Sequence, residues 1–381
     1  MKQNYFLLKL FVYCVCIVSL SKCKTPYEPP VQNAKQHFLV VEGFINGNGI
    51  TTIKLSRTRN ISPNDTAAYI FENGANVRIE DNHNNVYPLY SSGQGTYSGN
   101  FNLQPSYLFK LHITTGDNKE YLSDVVVFKP SPPIDSVSWK FDNTNSVQIS
   151  ISTHNPQNNT KYYRWDYEET WEFHSQYNSE LWFDKTDTTF KTRYIPIYQC
   201  WRSEKSTAIL LGSSAKLTED IIDQAPLTLI PYQSKRISVL YSILVTQYAL
   251  DSSGYNYWKA MESNTENVGS IFDPQPNLTA GNIHCLTDSS ETVIGYIGAG
   301  SAQQSRIFIS NKEMPSRWNP IPECGEWHVP MTLDSILYYF DGGGYTPIEY
   351  DDPPGSSVYG AAESCVDCTL TGTLIKPPFW P

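Results

Sequence analysis

Phe38-Leu39-Val40-Val41-Glu42-Gly43-Phe44-Ile45 and Ile50-Thr51-Thr52-Ile53-Lys54-Leu55, separated by Asn46-Gly47-Asn48-Gly49, decide the fold. Both runs are rich in β-branched and aromatic residues, which pack well on a pleated surface. The four residues between them tolerate the positive φ that a tight connection demands. The same pattern recurs in Ala75-Asn76-Val77-Arg78-Ile79, in Tyr107 to Ile113 and in Tyr121 to Phe128. Short strands at regular spacing, with Gly, Asn and Asp turns and no helical period, predict a sandwich. Residues 37–130 therefore read as an N-terminal immunoglobulin-like or transthyretin-like module.

Lys129-Pro130-Ser131-Pro132-Pro133 ends that module, because prolines cannot donate to a ladder. Residues 131–381 read as a larger β-rich domain. Val147, Ile149 and Ile151 alternate with Gln148 and Ser150. From Tyr162 to Phe173 the period is again two: Tyr163, Trp165, Tyr167, Trp171 and Phe173 share one face, and Arg164, Asp166, Glu168 and Glu172 the other. Ser175 to Tyr198 is expected to project as a hairpin, and Ile237 to Tyr248 to form a long strand. A helix is predicted near 252–264, capped by Asp251 and Ser252, with Tyr255, Trp258 and Met261 at helical spacing. Strand signals return at Thr292 to Ile297 and Ser305 to Ile309. The last fifty residues are expected to wrap over this domain, tied there by a cysteine bridge. The fold class is mainly β: two sandwich regions with a short helical insertion in the second.

At the other end, Lys2 precedes an apolar run from Phe6 to Leu20 broken only by Lys9. About fifteen residues suit a secretory h-region and fall short of the roughly 20 that span a bilayer. Leu20-Ser21-Lys22-Cys23 resembles the bacterial lipobox, although Lys22 stands where that motif usually has Gly or Ala. Residues 1–22 are thus expected to be a lipoprotein signal peptide, with a diacylglycerol anchor on Cys23. Residues 23–36, with Pro26, Pro29 and Pro30, read as an extended stalk. Each buried CH₂ contributes about 0.8 kcal/mol, so two or three acyl chains tether a protein almost permanently.

The formal charge of −10 and the lack of any Lys/Arg run argue against nucleic-acid binding. With 26 Tyr, 25 Pro, 22 Gly and only 17 % charged residues, the composition suits an extracellular β-rich protein. Cys200, Cys285, Cys324, Cys365 and Cys368 are disulfide candidates, and their odd number leaves at least one unpaired if every bridge is internal. The favoured bridge joins Cys324 to Cys365 or Cys368. Cys324, His328 and Cys365-Val-Asp-Cys368 are the ligand types of a zinc site, but their spacing is irregular, and no metal is expected.

Chemistry is sparse. Asp166, Glu168, Glu169 and Glu172 supply carboxylates without marking one as a proton donor, so a glycosidase reading finds little support. The seven histidines, among them His37, His83 and His328, lie far apart, and no Gly-x-Ser-x-Gly is present. Asp341-Gly342-Gly343-Gly344 and Glu349 to Asp352 lack the spacing of a calcium loop. No enzyme and no cofactor beyond the lipid are expected. Trp182 and Phe183, in a polar excursion, are the candidates for contact with a ligand or partner.

Several segments together resemble the DUF4249 family of Bacteroidetes lipoproteins. They include Val40-Val41-Glu42-Gly43, Leu55-Ser56-Arg57-Thr58, Pro132-Pro133-Ile134-Asp135, Cys200-Trp201 and Ser242 to Tyr248. Gly269 to Pro274, Gly281-Asn282-Ile283, Cys365-x-x-Cys368 and Pro377-Pro378-Phe379-Trp380 complete the set. The resemblance implies a cell-surface lipoprotein of the outer membrane, accessory to a TonB-dependent transporter barrel, where it captures or gates substrate. The alternative expectation is a structural or adhesive surface lipoprotein that binds host, matrix or another envelope protein.

Overall fold

The run from Phe38 to Leu55 folds into β1 (Leu39–Asn46) and β2 (Asn48–Arg57), antiparallel, with Leu39 opposite Arg57 and Phe44 opposite Thr52. The computed structural model describes residues 37–59, 70–266, 281–315, 318, 324–351 and 355–381. The signal peptide, Cys23 and the stalk lie outside the described residues. Leu39, Val41, Ile45, Ile53 and Leu55 enter one apolar cluster, as period-two alternation requires. Gly47, between the strands, does not bond across the hairpin. Its N–H donates to the Gly300 carbonyl at 2.8 Å, and its carbonyl accepts from Leu103 N at 2.8 Å.

The N-terminal module continues with β3 (Ile70–Phe71), β4 (Asn76–Asp81), β5 (Val86–Gly93), β6 (Thr96–Asn102) and β7 (Leu108–Thr114). The run expected from Tyr121 to Phe128 is two strands, β8 (Glu120–Ser123) and β9 (Val126–Pro130). Beyond the proline boundary come β10 (Ile134–Phe141), β11 (Val147–His154), β12 (Tyr162–His174), β13 (Leu181–Asp184) and β14 (Thr189–Thr192). β15 (Gln199–Lys205), β16 (Leu210–Ser213), β17 (Ile221–Ile230) and β18 (Leu240–Leu250) lead into helix α1 (Ser252–Glu266). Last are β19 (Ile283–Cys285), β20 (Ala299–Ser301), β21 (Gln303–Ser310), β22 (Trp327–Pro330), β23 (Tyr345–Tyr350) and β24 (Ser357–Ala362).

The expected boundaries need a correction. The first module does not end at 130: β19 pairs with β8, and β20 runs parallel between β1 and β9. The cause is the outer edge of β1, whose backbone groups must find partners when buried. Val41 N donates to Ile294 O at 2.8 Å, Ile294 N to Leu39 O at 2.9 Å, and Ile45 N to Gly298 O at 2.9 Å. Gly295 permits this approach: at φ +145° it sits where an added Cβ would lie 2.2 Å from the Val41 carbonyl oxygen. The strand expected over Thr292 to Ile297 is reduced to one bridge between Val40 and Ile294. With β20 in place the pairing runs β7-β4-β5-β6-β2-β1-β20-β9 and returns to β7, so this ring has no open edge.

A buried ion cluster locks the returning segment. Glu291, with a side chain 5 % exposed, accepts from Tyr121 Oη at 2.7 Å and Lys119 Nζ at 2.5 Å, and lies 3.4 Å from Arg57. Arg57 also holds Glu72 at 2.7 Å. Every charge in the cluster therefore has a counter-charge or a hydrogen bond, the condition under which buried ions persist.

The second region packs the sheet β10-β11-β17 against the sheet of β15 and β16, β12, β18 and β21. Val147, Ile149 and Ile151 of the first meet Tyr163, Trp165, Trp171, Tyr241, Ile243 and Val245 of the second in one core. Gln247 is fully buried there. It accepts from Trp165 Nε1 at 2.9 Å and donates to the Pro132 carbonyl at 2.8 Å, so the proline segment is fastened to this core.

The C-terminal segment builds more than a wrap. β22, β24 and β23 form a small sheet, and the projecting hairpin β13-β14 packs on it through Leu181, Phe183, Phe190, Val329, Phe340 and Val358. Cys324 bridges to Cys365 and Cys200 to Cys368. Cys285, one of the disulfide candidates, is instead a buried free thiol, because β19 carries it into the first module's core.

Candidate functional site

β12 changes neighbours along its length. β16 pairs with Tyr162 to Trp165 and β15 with Glu168 to His174, which leaves Asp166 and Tyr167 facing the loop at Ser206. Tyr167 N donates to Ser206 Oγ at 3.0 Å. On its other side β12 pairs with β18, and Arg164 falls opposite Tyr248. The odd face carries the core aromatics, so Arg164 and Asp166 point away from the core. There they meet α1 and β1.

Helix α1 begins where the sequence placed it, with Asp251 Oδ1 accepting from Gly254 N at 2.7 Å. One turn on, Trp258 covers the Arg164 guanidinium at 4.3 Å from the ring centroid, and Tyr248 lies 4.8 Å from it. Phe44 of β1 meets Tyr248 edge-on at 4.9 Å. Tyr257 stacks on Tyr296 at 5.4 Å, and Tyr296 Oη donates to Asp251 at 3.0 Å. These rings enclose a groove of about 630 Å³ at the junction of the first module, the second sandwich and the helix. That volume falls within the roughly 300–1,000 Å³ of small-molecule sites.

The electrostatics are balanced. Arg164 Nη2 donates to Asp166 Oδ2 at 3.0 Å, and Asp166 is half exposed. Burial, then the Asp166 carboxylate, pushes the Tyr248 phenol up to about 12, so it stays a neutral hydrogen-bonding group. Burial, then Asp251, pushes Tyr296 up in the same sense. Lys54 and Arg164 stand against Glu42 and Asp166, and Thr52, Thr246 and Gln304 add neutral polar groups. Among its described lining residues there is no histidine or cysteine, and the described residues hold no group of three side chains suited to a metal. Such a surface binds by ring contact and hydrogen bonds.

The residues singled out from sequence lie elsewhere. Trp182 is 39 % exposed on β13 with Lys191 over its ring at 5.5 Å, whereas Phe183 is anchored in the C-terminal core against Phe190 and Phe340. Asp166 reaches the groove. Glu172, expected on the outward face of β12, is buried, and so is Glu169. Glu169 accepts from Tyr241 Oη at 2.6 Å and pairs with Arg236, while Glu172 accepts from Trp380 Nε1 at 2.9 Å and Gln199 at 2.6 Å. Asp341 pairs with Lys185 at 3.0 Å. Sequence reasoning missed the Arg164, Tyr248 and Phe44 contacts, because they come from three separate elements. Only Trp258, at helical spacing with Met261, gave a local signal.

These observations define a mainly β protein of joined sandwich modules with a short helical insertion and a groove at their junction. Among solved structures it is similar to the chicken CNTN1 FN1-FN3 domains, at 14 % identity and a TM-score of 0.21, over 55 % of this chain and 60 % of that one. No curated protein matches it. The chain belongs to the family described as Domain of unknown function (DUF4249), which matches residues 24–306. That span includes every residue named around the groove.

Proposed function

We propose that this chain is an outer-membrane lipoprotein, anchored through Cys23 and facing the cell surface, that serves a TonB-dependent transporter as a non-enzymatic accessory. The groove of Arg164, Tyr248, Trp258 and Phe44 carries the reading: it is large enough for a small ligand and offers rings and hydrogen-bonding groups. Family membership and the lipobox-like Leu20-Ser21-Lys22-Cys23 support the location. In this role the groove holds substrate beside the barrel, and the acyl anchor keeps the local concentration of the pair high. Among the described residues no helix is long and apolar enough to cross a membrane; in this reading attachment rests on the lipid at Cys23.

Native extraction in mild detergent tests it. An affinity-tagged chain should carry a β-barrel partner in near-stoichiometric amount, and a Cys23→Ser variant should lose membrane attachment. If the wild-type chain leaves the membrane alone, the accessory role is wrong.

A further inference from the structure

The C-terminal region carries a second concavity, of about 580 Å³, that shares no lining residue with the groove. Its walls are Trp327 of β22, Tyr345 of β23 and the turn Leu337–Asp341, which winds as a π-helix. Single π-turns are rare and concentrate at functional sites. Here the turn buries Phe340 against Phe183 and Phe190 while turning Tyr338 outward, 71 % exposed. Trp327 is 53 % exposed. An indole on β22 and a phenol on the neighbouring turn, both left this open, form an exposed aromatic surface, which calls for an occupant.

We infer that this shelf is a carbohydrate site for neutral oligosaccharides. Each ring joins an apolar face to a polar handle, an N–H or O–H, and thus matches a ligand whose own faces are C–H and whose rim is hydroxyl. The rings stand edge to face: Tyr338 meets Tyr339 at 86°, and Tyr339 meets Tyr345 at 87°. Trp327 and Tyr338 keep open faces, which suit successive sugar rings. Among the described residues of the wall the only charged one is Asp341, already paired with Lys185 at 3.0 Å. An anionic ligand would find no cation among the described residues of this wall, and a neutral one meets a carboxylate that accepts from hydroxyls. The volume falls within the roughly 300–1,000 Å³ of small-molecule sites. The site stands independently of the transporter reading.

The test uses the full chain on an array of neutral α- and β-linked glucans, mannans, xylans and N-acetylglucosamine oligomers beside sulfated and uronic-acid glycans. Hits are followed by tryptophan fluorescence titration. Binding is expected to neutral glycans, at least tenfold weaker in Trp327→Ala and in Tyr338→Ala and unchanged in Trp182→Ala, with unaltered melting in all three. No neutral-glycan binding, a preference for the charged glycans, or equal binding by Trp327→Ala would overturn the assignment. So would a Trp327→Ala defect confined to recovery of a protein partner, which would make the shelf a protein interface instead.

Discussion

Arg164 lies with its guanidinium carbon 4.3 Å from the centre of the Trp258 indole, and this contact joins the start of β12 to the helix that follows β18. Tyr248, 4.8 Å from the same guanidinium, makes it a three-layer stack. A partly desolvated cation over a ring contributes up to about 2 kcal/mol. Arg164→Met keeps the aliphatic stem and removes the charge, and should destabilise by about 1–2 kcal/mol in urea unfolding. Trp258→Ala should lower stability by at least as much and loosen α1, read as faster amide exchange from 252 to 266. Wild-type stability in both variants would mean the stack is ornamental.

The Tyr248 phenol supplies a pH test. Burial and the neighbouring Asp166 raise it to about 12, against about 10 in an unfolded chain. Because the folded value is the higher one, its contribution is complete below pH 10 and is lost as pH rises through 12. The tyrosinate absorbance difference between wild type and Tyr248→Phe should therefore develop near pH 12. Ionisation of this residue near pH 10 would show that the groove is wetter than its geometry indicates.

Glu291 holds residues 283–301 to the first module through Tyr121, Lys119 and Arg57. Removing one member of a buried ion cluster costs about 3–5 kcal/mol, because the remaining charges lose compensation. Glu291→Ala should approach that loss in denaturant titration. Glu291→Gln, which can still accept from Tyr121, should lose less. Equal effects would assign the role to packing rather than charge.

The two disulfides should differ in weight. Cys200 and Cys368 are 168 residues apart, Cys324 and Cys365 only 41. In the chain-entropy account the longer closure stabilises by about 1 kcal/mol more. The double replacement Cys200→Ser with Cys368→Ser should accordingly lower the melting temperature further than Cys324→Ser with Cys365→Ser. The reverse order would point to native-state packing around Cys365. Under denaturing, non-reducing conditions Cys285 should be the one thiol of these five that alkylates.

Local periodicity made much of the architecture legible. Tyr163, Trp165 and Trp171 fill the second core as their spacing on β12 implies, and Asp251 opens the helix it was expected to cap. What stayed hidden depends on partners distant in sequence. Glu172 reads as an outward charge until Trp380 folds back onto it, and the partners that hold Glu169 in the core, Arg236 and Tyr241, lie far along the chain. β19 and β20 are too short to leave a periodic trace, so the correction to the domain boundary was not available from the residues themselves. Phe44 and Tyr248 each read as ordinary strand aromatics; only their meeting with Arg164 and Trp258 makes a groove.

The insertion of β20 between β1 and β9 also sets an order of assembly. The N-terminal strands emerge first, yet the piece that seals them is Ala299 to Ser301, so their completion waits for most of the polypeptide. Pairing across such a separation is slow. A fragment stopped at the proline segment would retain β1 and β9 as unsealed neighbours, prone to stick to its own copies, and the growing chain would need something to shield them until the closing piece arrives.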